Sequence, residues 1–214
     1  MSSRRYSTAD RMIINLDRAV RSLQGRGSSS GRPSPAEGQD PDALSARDRR
    51  TSASLMRVNH AGEVAAQALY HGQALTSFDP ELRHVMEQAA QEEEDHLRWC
   101  RDRIDDLGGR TSVLDPFWYA GALTFGAIAG LAGDRINLGF IAETEHQVVA
   151  HLDDHLSRLP PADLRSRAVL EQMRSDEAAH AHTAEQRGAA ELPTLVKRAM
   201  RFASQVMTRT AYLI

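Results

Sequence analysis

The stretches QEEEDHLRWC (91–100) and RSDEAAHAHT (174–183) each carry a Glu-x-x-His pair, Glu93 with His96 and Glu177 with His180. On a helix this spacing places a carboxylate and an imidazole one turn apart on one face, where both can reach a single cation. By itself the pattern is weak, because Glu81 with His84 and Glu143 with His146 repeat it. Helical phase separates the four pairs, since a ligand in a bundle core must lie on the stripe facing the other helices. Between 80 and 107 the apolar stripe is Leu82, Met86, Ala89, Cys100, Ile104 and Leu107, and Glu93 and His96 fill the gap in its rhythm. Glu81 and His84 align instead with Gln88, Gln91, Asp95 and Arg98, a solvated face. In the fourth helix Glu177 and His180 interrupt a stripe of Leu170, Met173 and Ala184. The third helix has Leu138, Ile141, Glu145, Val149, Leu152, Leu156 and Leu159 in phase, which selects Glu145 over Glu143 and His146. The first offers Glu63, in phase with Met56, Ala66 and Tyr70.

Chain geometry supports the same selection. Glu63 and Glu93 each lie about 15 residues from the turn near Phe78, so at about 1.5 Å of rise per residue they stand level on antiparallel helices. Glu145 and Glu177 flank Pro160-Pro161 in the same way. Glu145 follows Glu63 by 82 residues, and Glu177 and His180 follow Glu93 and His96 by 84, so two equivalent half-sites emerge. Four buried carboxylates are costly unless neutralised, and two divalent cations would neutralise them. A single Glu on two helices and Glu-x-x-His on two others is the ligand arrangement of the ferritin-like dimetal proteins. The expected fold is therefore all-α: a ferritin-like four-helix bundle of two helical hairpins joined by a crossover.

The rest of the chain fits around that bundle. Its 214 residues, 41% apolar and only 5% aromatic, favour one helical domain. A short amphipathic helix is expected over 8–24, a flexible Gly/Ser/Pro-rich linker over 25–50, and the catalytic domain over 51–214. Bundle helices are expected over 51–76, 80–107, 134–159 and 162–188. Asp79 and Pro80 start the second, and Pro160-Pro161 stop the third. An apolar, glycine-rich segment over 116–133 reads as an interfacial helix on the crossover, and 193–214 as a basic amphipathic helix. A formal net charge of −3 gives no sign of nucleic-acid binding. The single Cys100 leaves any metal to Glu, Asp and His, and the N-terminus lacks the apolar run of a secretory signal.

The segments LMRVNHAGEVAAQALYHGQ (55–73), EEEDH, ETEHQVVAHL and DEAAH together resemble the Coq7 family of demethoxyubiquinone hydroxylases, over roughly residues 54–214. That resemblance implies six ligands to two iron ions: Glu63, Glu93, His96, Glu145, Glu177 and His180. It implies O2-dependent hydroxylation of a polyprenylated benzoquinol ring, late in ubiquinone synthesis. The doubled Glu of some relatives is here Glu143-Thr144-Glu145, and core phase favours Glu145. No GxGxxG fingerprint is present, so electrons come from the quinol or an external reductant, and other ubiquinone-biosynthesis proteins are expected partners. His151 and Tyr70 are candidates for supporting roles beside the metals, and Asp95 and Asp176 for orienting a ligand histidine on a neighbouring helix. Cys100 reads as packing.

Three other readings compete: a ferroxidase or iron-storage protein of the same fold, a rubrerythrin-like peroxidase or manganese catalase, and a metal-free helical interaction module. One cysteine cannot build the four-cysteine iron site of rubrerythrins. The apolar segment FWYAGALTFGAIAGLAG (117–133) and the basic C-terminus, with Lys197, Arg198, Arg201 and Arg209, suit a lipid substrate. Peripheral binding at the cytoplasmic face of the cell membrane is the expectation that follows.

Overall fold

The computed structural model describes Asp17, Val20, Arg21, residues 30–40 and residues 43–214. The short helix expected over 8–24 lies outside the described residues, apart from those three positions. From Ala46 the chain runs through six α-helices: α1 (Ala46–Thr76), α2 (Pro80–Asp106), α3 (Asp115–Leu131), α4 (Asp134–Arg158), α5 (Leu164–Gln186) and α6 (Thr194–Leu213), with no strand among the described residues. α1 with α2 and α4 with α5 form the two hairpins, and α3 carries the crossover along α1.

Local chemistry sets the boundaries. The Asp79 carboxylate accepts from the Glu81 N–H at 2.9 Å and Pro80 occupies the first turn of α2, satisfying donors that the helix cannot bond itself. Asp163 caps α5 by accepting from the Ser166 N–H at 2.9 Å, and the same carboxylate pairs with Arg103 of α2 at 2.8 Å, tying the two hairpins together. α1 begins at Ala46, earlier than expected, because Ser45 accepts from the Asp48 N–H at 3.1 Å and supplies a cap. The segment expected as a linker also differs. Pro35–Gly38 form a 3-10 turn, Ala36 is buried, and this stretch lies against α2 and α5.

Two apolar layers sandwich a polar one. At one end Leu55, Met56, Trp99, Cys100, Ile104, Leu152, Leu170 and Met173 pack together, with Cys100 inert among them. At the other, Tyr70, Leu82, Met86, Leu138, Ile141 and Ala184 do so. Each fully buried Leu or Ile side chain contributes roughly 1.5–3 kcal/mol by leaving water, so these layers hold the bundle together on both sides of the charged residues between them.

α3 lies flat on α1 at very close range. A Cβ on Gly126 would collide with the Leu69 carbonyl, and one on Gly72 with the Leu123 carbonyl. Thr76 donates to the Ala127 carbonyl at 3.0 Å. The opposite face of α3 is open: Phe117, Phe125, Ile128 and Leu131 are each more than half exposed. No helix among the described residues is long and apolar enough to cross a membrane. α6 also packs on α1, yet of its residues only Ala211 is buried, while Leu195, Phe202 and Leu213 face outward.

Candidate metal centre

The six residues selected by phase and height come together in the polar layer. One potential ligand atom from each of Glu63, Glu93, His96 and Glu177 lies within 4.8 Å of the others, and the same is true of Glu93, Glu145, Glu177 and His180. Glu93 and Glu177, at equal heights on α2 and α5, belong to both groups. All four carboxylates and His96 are at most 3% exposed. Glu81 and His84 are exposed on α2, and His146 is turned outward to Glu185 at 2.8 Å. Glu143 is outside the cluster too. It accepts from Gln147 at 2.7 Å and pairs with Lys197 of α6 at 3.4 Å, which leaves Glu145 as the α4 carboxylate in the core.

Both imidazoles point Nδ1 inward. His96 Nδ1 lies 3.1 Å from Glu177 and 3.2 Å from Glu93, and His180 Nδ1 lies 3.2 Å from Glu177 and 3.5 Å from Glu93. Their outward Nε2 atoms meet carboxylates of the opposite hairpin: His96 meets Asp176 at 2.9 Å, and His180 meets Glu92 at 2.7 Å. Each partner immediately precedes the Glu of the other Glu-x-x-His pair, so the two arms are crosswise equivalents. A carboxylate accepting from Nε2–H fixes the tautomer that leaves Nδ1 free to bind a cation. Asp176 thus takes the orienting role expected of it, whereas Asp95 lies against Arg98 and Arg32. Glu92 was hidden in an acidic run that reads as a solvated face. Its signal was the position directly before Glu93, matching Asp176 before Glu177.

Tyr70 reaches the cluster, donating to Glu145 Oε1 at 2.6 Å. His151 does not. It lies against His155 with ring centroids 3.9 Å apart and planes inclined at 56°, in a cleft lined also by Arg158, Arg209 and Tyr212. His155 in turn is bonded to Asn59 at 2.9 Å.

Burial and mutual contact shift the titration of these groups. Burial pushes the Glu63 and Glu145 carboxyls well above the usual range, with the neighbouring carboxylates adding to the shift. Burial opposes charging of His96 and His180, but hydrogen bonds to Asp176 and Glu177 for the one, and to Glu177 and Glu92 for the other, outweigh it and raise both. Burial likewise opposes ionisation of Glu93, and its bonds to His180 and His96 overcome that, holding it below the usual range. Without metal the cluster therefore draws protons toward itself. Apart from the two inward Nδ1 atoms, one oxygen on each of Glu63, Glu93, Glu145 and Glu177 is buried without a hydrogen-bond partner among the described residues. Four orphaned hard oxygens and two inward Nδ1 atoms fit a pair of divalent ions such as iron.

Beside this layer a groove of about 170 Å³, lined by Tyr70, Met86, Glu92, Leu138, Ile141 and His180, opens between α2, α4 and α5. It is mostly apolar in its lining and ends on the His180 side of the cluster.

A profile of the family described as "Ubiquinone biosynthesis protein COQ7" matches residues 50–211. A 3-demethoxyubiquinol 3-hydroxylase of Nitrosococcus oceani is 56% identical over 214 residues, covering 100% of both chains. Its counterpart in Nitrosomonas europaea is 52% identical over 205 residues, 96% of this chain and 98% of that one. That of Acinetobacter baumannii is 51% identical over 211 residues, 99% and 100%. Among solved structures, a dodecameric thioferritin of Bacteroides fragilis aligns with a TM-score of 0.54 at 17% identity, covering 67% of this chain and 85% of that one. This last likeness speaks for the ferritin-like fold alone.

Proposed function

The chain belongs to the COQ7 family of ubiquinone biosynthesis proteins, and from that premise we infer that it is the enzyme that hydroxylates 3-demethoxyubiquinol, working through a diiron centre. The observation that carries the metal part is the convergence of six donors in one buried layer, with four carboxylate oxygens left orphaned. Glu63, Glu93, His96 and Glu177 would hold one ion, and Glu93, Glu145, Glu177 and His180 the other. When bound, the iron pair supplies the activation of O2 that organic side chains lack. One oxygen atom goes to the ring. Reducing the other to water takes two electrons and two protons, so the reaction calls for a reductant outside the bundle, or for electrons from the quinol.

The protein's own side chains have definite tasks in this scheme. Asp176 and Glu92 hold the imidazoles with Nδ1 inward. Tyr70 holds Glu145 by its hydroxyl proton and stands where the groove meets the cluster. The apolar layers above and below keep water from the reacting atoms. A ferroxidase role has less support, because the relatives that match along the whole chain are hydroxylases.

The substrate's polyprenyl tail stays in lipid, so the enzyme would work at the bilayer as a peripheral protein, on its cytoplasmic face. Supporting this are the open apolar face of α3 and the outward apolar residues of α6, beside exposed Arg198, Arg201 and Arg209. The test is turnover: iron-loaded protein, demethoxyubiquinol in lipid nanodiscs, a chemical reductant and 18O2. One labelled oxygen in the product ring supports the reading. Unlabelled product, or none from protein carrying two irons, overturns it.

A further inference from the structure

The stretch before the bundle has a role that its Gly/Ser/Pro-rich composition conceals. Residues 30–38 cross the outer side of α2 and α5 directly over His96. Arg32 Nη1 pairs with Asp176 Oδ2 at 2.9 Å, the same oxygen that meets His96 Nε2, and Arg32 Nη2 lies 3.4 Å from that ring nitrogen. Its Nε lies 3.5 Å from Asp95, and its guanidinium sits 4.9 Å from the centre of the Trp99 ring, which itself lies 5.3 Å from the His96 ring. The backbone is pinned as well. Arg98 donates to the Arg32 carbonyl at 2.5 Å, Ser30 donates to Asp95, and buried Ala36 meets Arg165 through its carbonyl at 3.5 Å.

The other half-site has no such cover. Glu92, the counterpart of Asp176, has a 43% exposed side chain and borders the groove, and no arginine bonds it among the described residues. The two arms therefore match in their inner shell and differ outside it. On one side, a planar guanidinium with several donors fixes the carboxylate that fixes the histidine. On the other, the orienting carboxylate stands in water.

We propose that residues 30–38 are a latch in which Arg32 is a positioning residue: by holding Asp176, and through it His96, it makes the half-site of Glu63, Glu93, His96 and Glu177 retain its cation longer than the half-site of His180. This rests on the reading of the cluster as a two-metal site. It also gives the site a direction, because the latched side is closed to solvent and ligand exchange is left to the His180 side, where the groove ends.

The test loads the full chain with Co(II) under anaerobic conditions and follows release into excess EDTA by visible absorbance. Wild type should release two ions per chain in two phases, the fast one absent from His180→Ala and the slow one from His96→Ala. Arg32→Ala should speed the slow phase about tenfold and leave the fast phase alone, the low end of the effect of losing a group that orients a metal ligand. Arg32→Lys keeps the charge without the fork, and should fall between. In metal-free protein, hydrogen exchange over 30–40 should quicken in Arg32→Ala. Unchanged slow release in that variant, equal acceleration of both phases, or unchanged exchange over 30–40 would each overturn the latch. A wild type that takes up no Co(II) would overturn the metal reading itself, an outcome distinct from all three.

Discussion

Removing the cluster's carboxylates singly should give graded metal contents, because the residues differ in how many donor groups they join. Glu93 and Glu177 belong to both groups of four, whereas Glu63 and Glu145 belong to one each. Glu177→Ala leaves both half-sites short of a donor, and three carboxylates facing two dications in a dry layer. Losing one partner from a buried, paired charge cluster costs on the order of 3–5 kcal/mol, a factor of roughly 100 to several thousand in affinity. Occupancy should therefore fall from about two irons per chain to near zero in Glu177→Ala and Glu93→Ala. Glu63→Ala and Glu145→Ala should keep about one. The assay is anaerobic loading with Fe(II), desalting, and iron per chain by emission spectrometry, with circular dichroism confirming that each variant is helical. Two irons retained by folded Glu177→Ala would refute the assignment. So would Glu63→Ala emptied while Glu177→Ala keeps one.

Glu81→Ala and His84→Ala should change neither iron content nor turnover, and iron analysis together with initial rates checks this; a loss like that of Glu177→Ala would show the phasing of α2 to be wrong. His155 gives a pH signature. Burial, with His151 and Arg158 beside it, brings its pKa down to about 2, so the folded state refuses a proton that the unfolded chain takes up below about 6.5. Stability is then present above that pH and lost as pH falls, by about 1.4 kcal/mol per unit, or roughly 2 kcal/mol from pH 6.5 to 5. Urea unfolding of wild type and His155→Gln at pH 7 and pH 5 should show that difference between them, and parallel pH dependence would refute it. For the membrane, wild type should float with anionic liposomes, and a triple Asp variant at Phe117, Phe125 and Ile128, all more than half exposed, should not. A folded, iron-loaded variant that floats equally well would refute the lipid face of α3.

The bundle and its polar layer were legible because the ligand-type residues occupy positions that the 3.6-residue period reserves for apolar side chains. A Glu in place of a Leu on a core stripe, as at Glu145, stands out against its neighbours. Equal heights on antiparallel helices then turned four such anomalies into one site. What could not be read depends on contacts between distant segments. Arg32 reaches Asp176 across 144 residues, from a stretch whose composition resembles that of a linker. Leu123, which the pattern of α3 puts on an apolar surface with Phe117 and Phe125, is partly covered because its backbone meets Gly72 of α1. His151 lies on the same helix as Glu145 and is turned toward His155 and α6 by packing that no local pattern encodes.

The crossed pairs in the polar layer have a consequence for how the molecule comes together. Neither hairpin contains a finished site: α1 and α2 supply three donors to one group and one to the other, and α4 and α5 supply the reverse. Even the orienting carboxylates are exchanged, Asp176 serving His96 and Glu92 serving His180. A half-made chain thus offers a cation at most three of the four donors of either group, and holds a reactive ion more weakly than the scaffold that closes around it. By the same logic, any ion bound across the two hairpins favours their docked state over every state in which they are apart, by about 2.7 kcal/mol at a hundred times its dissociation constant. Occupancy of the site and docking of its two halves are one equilibrium seen from two sides.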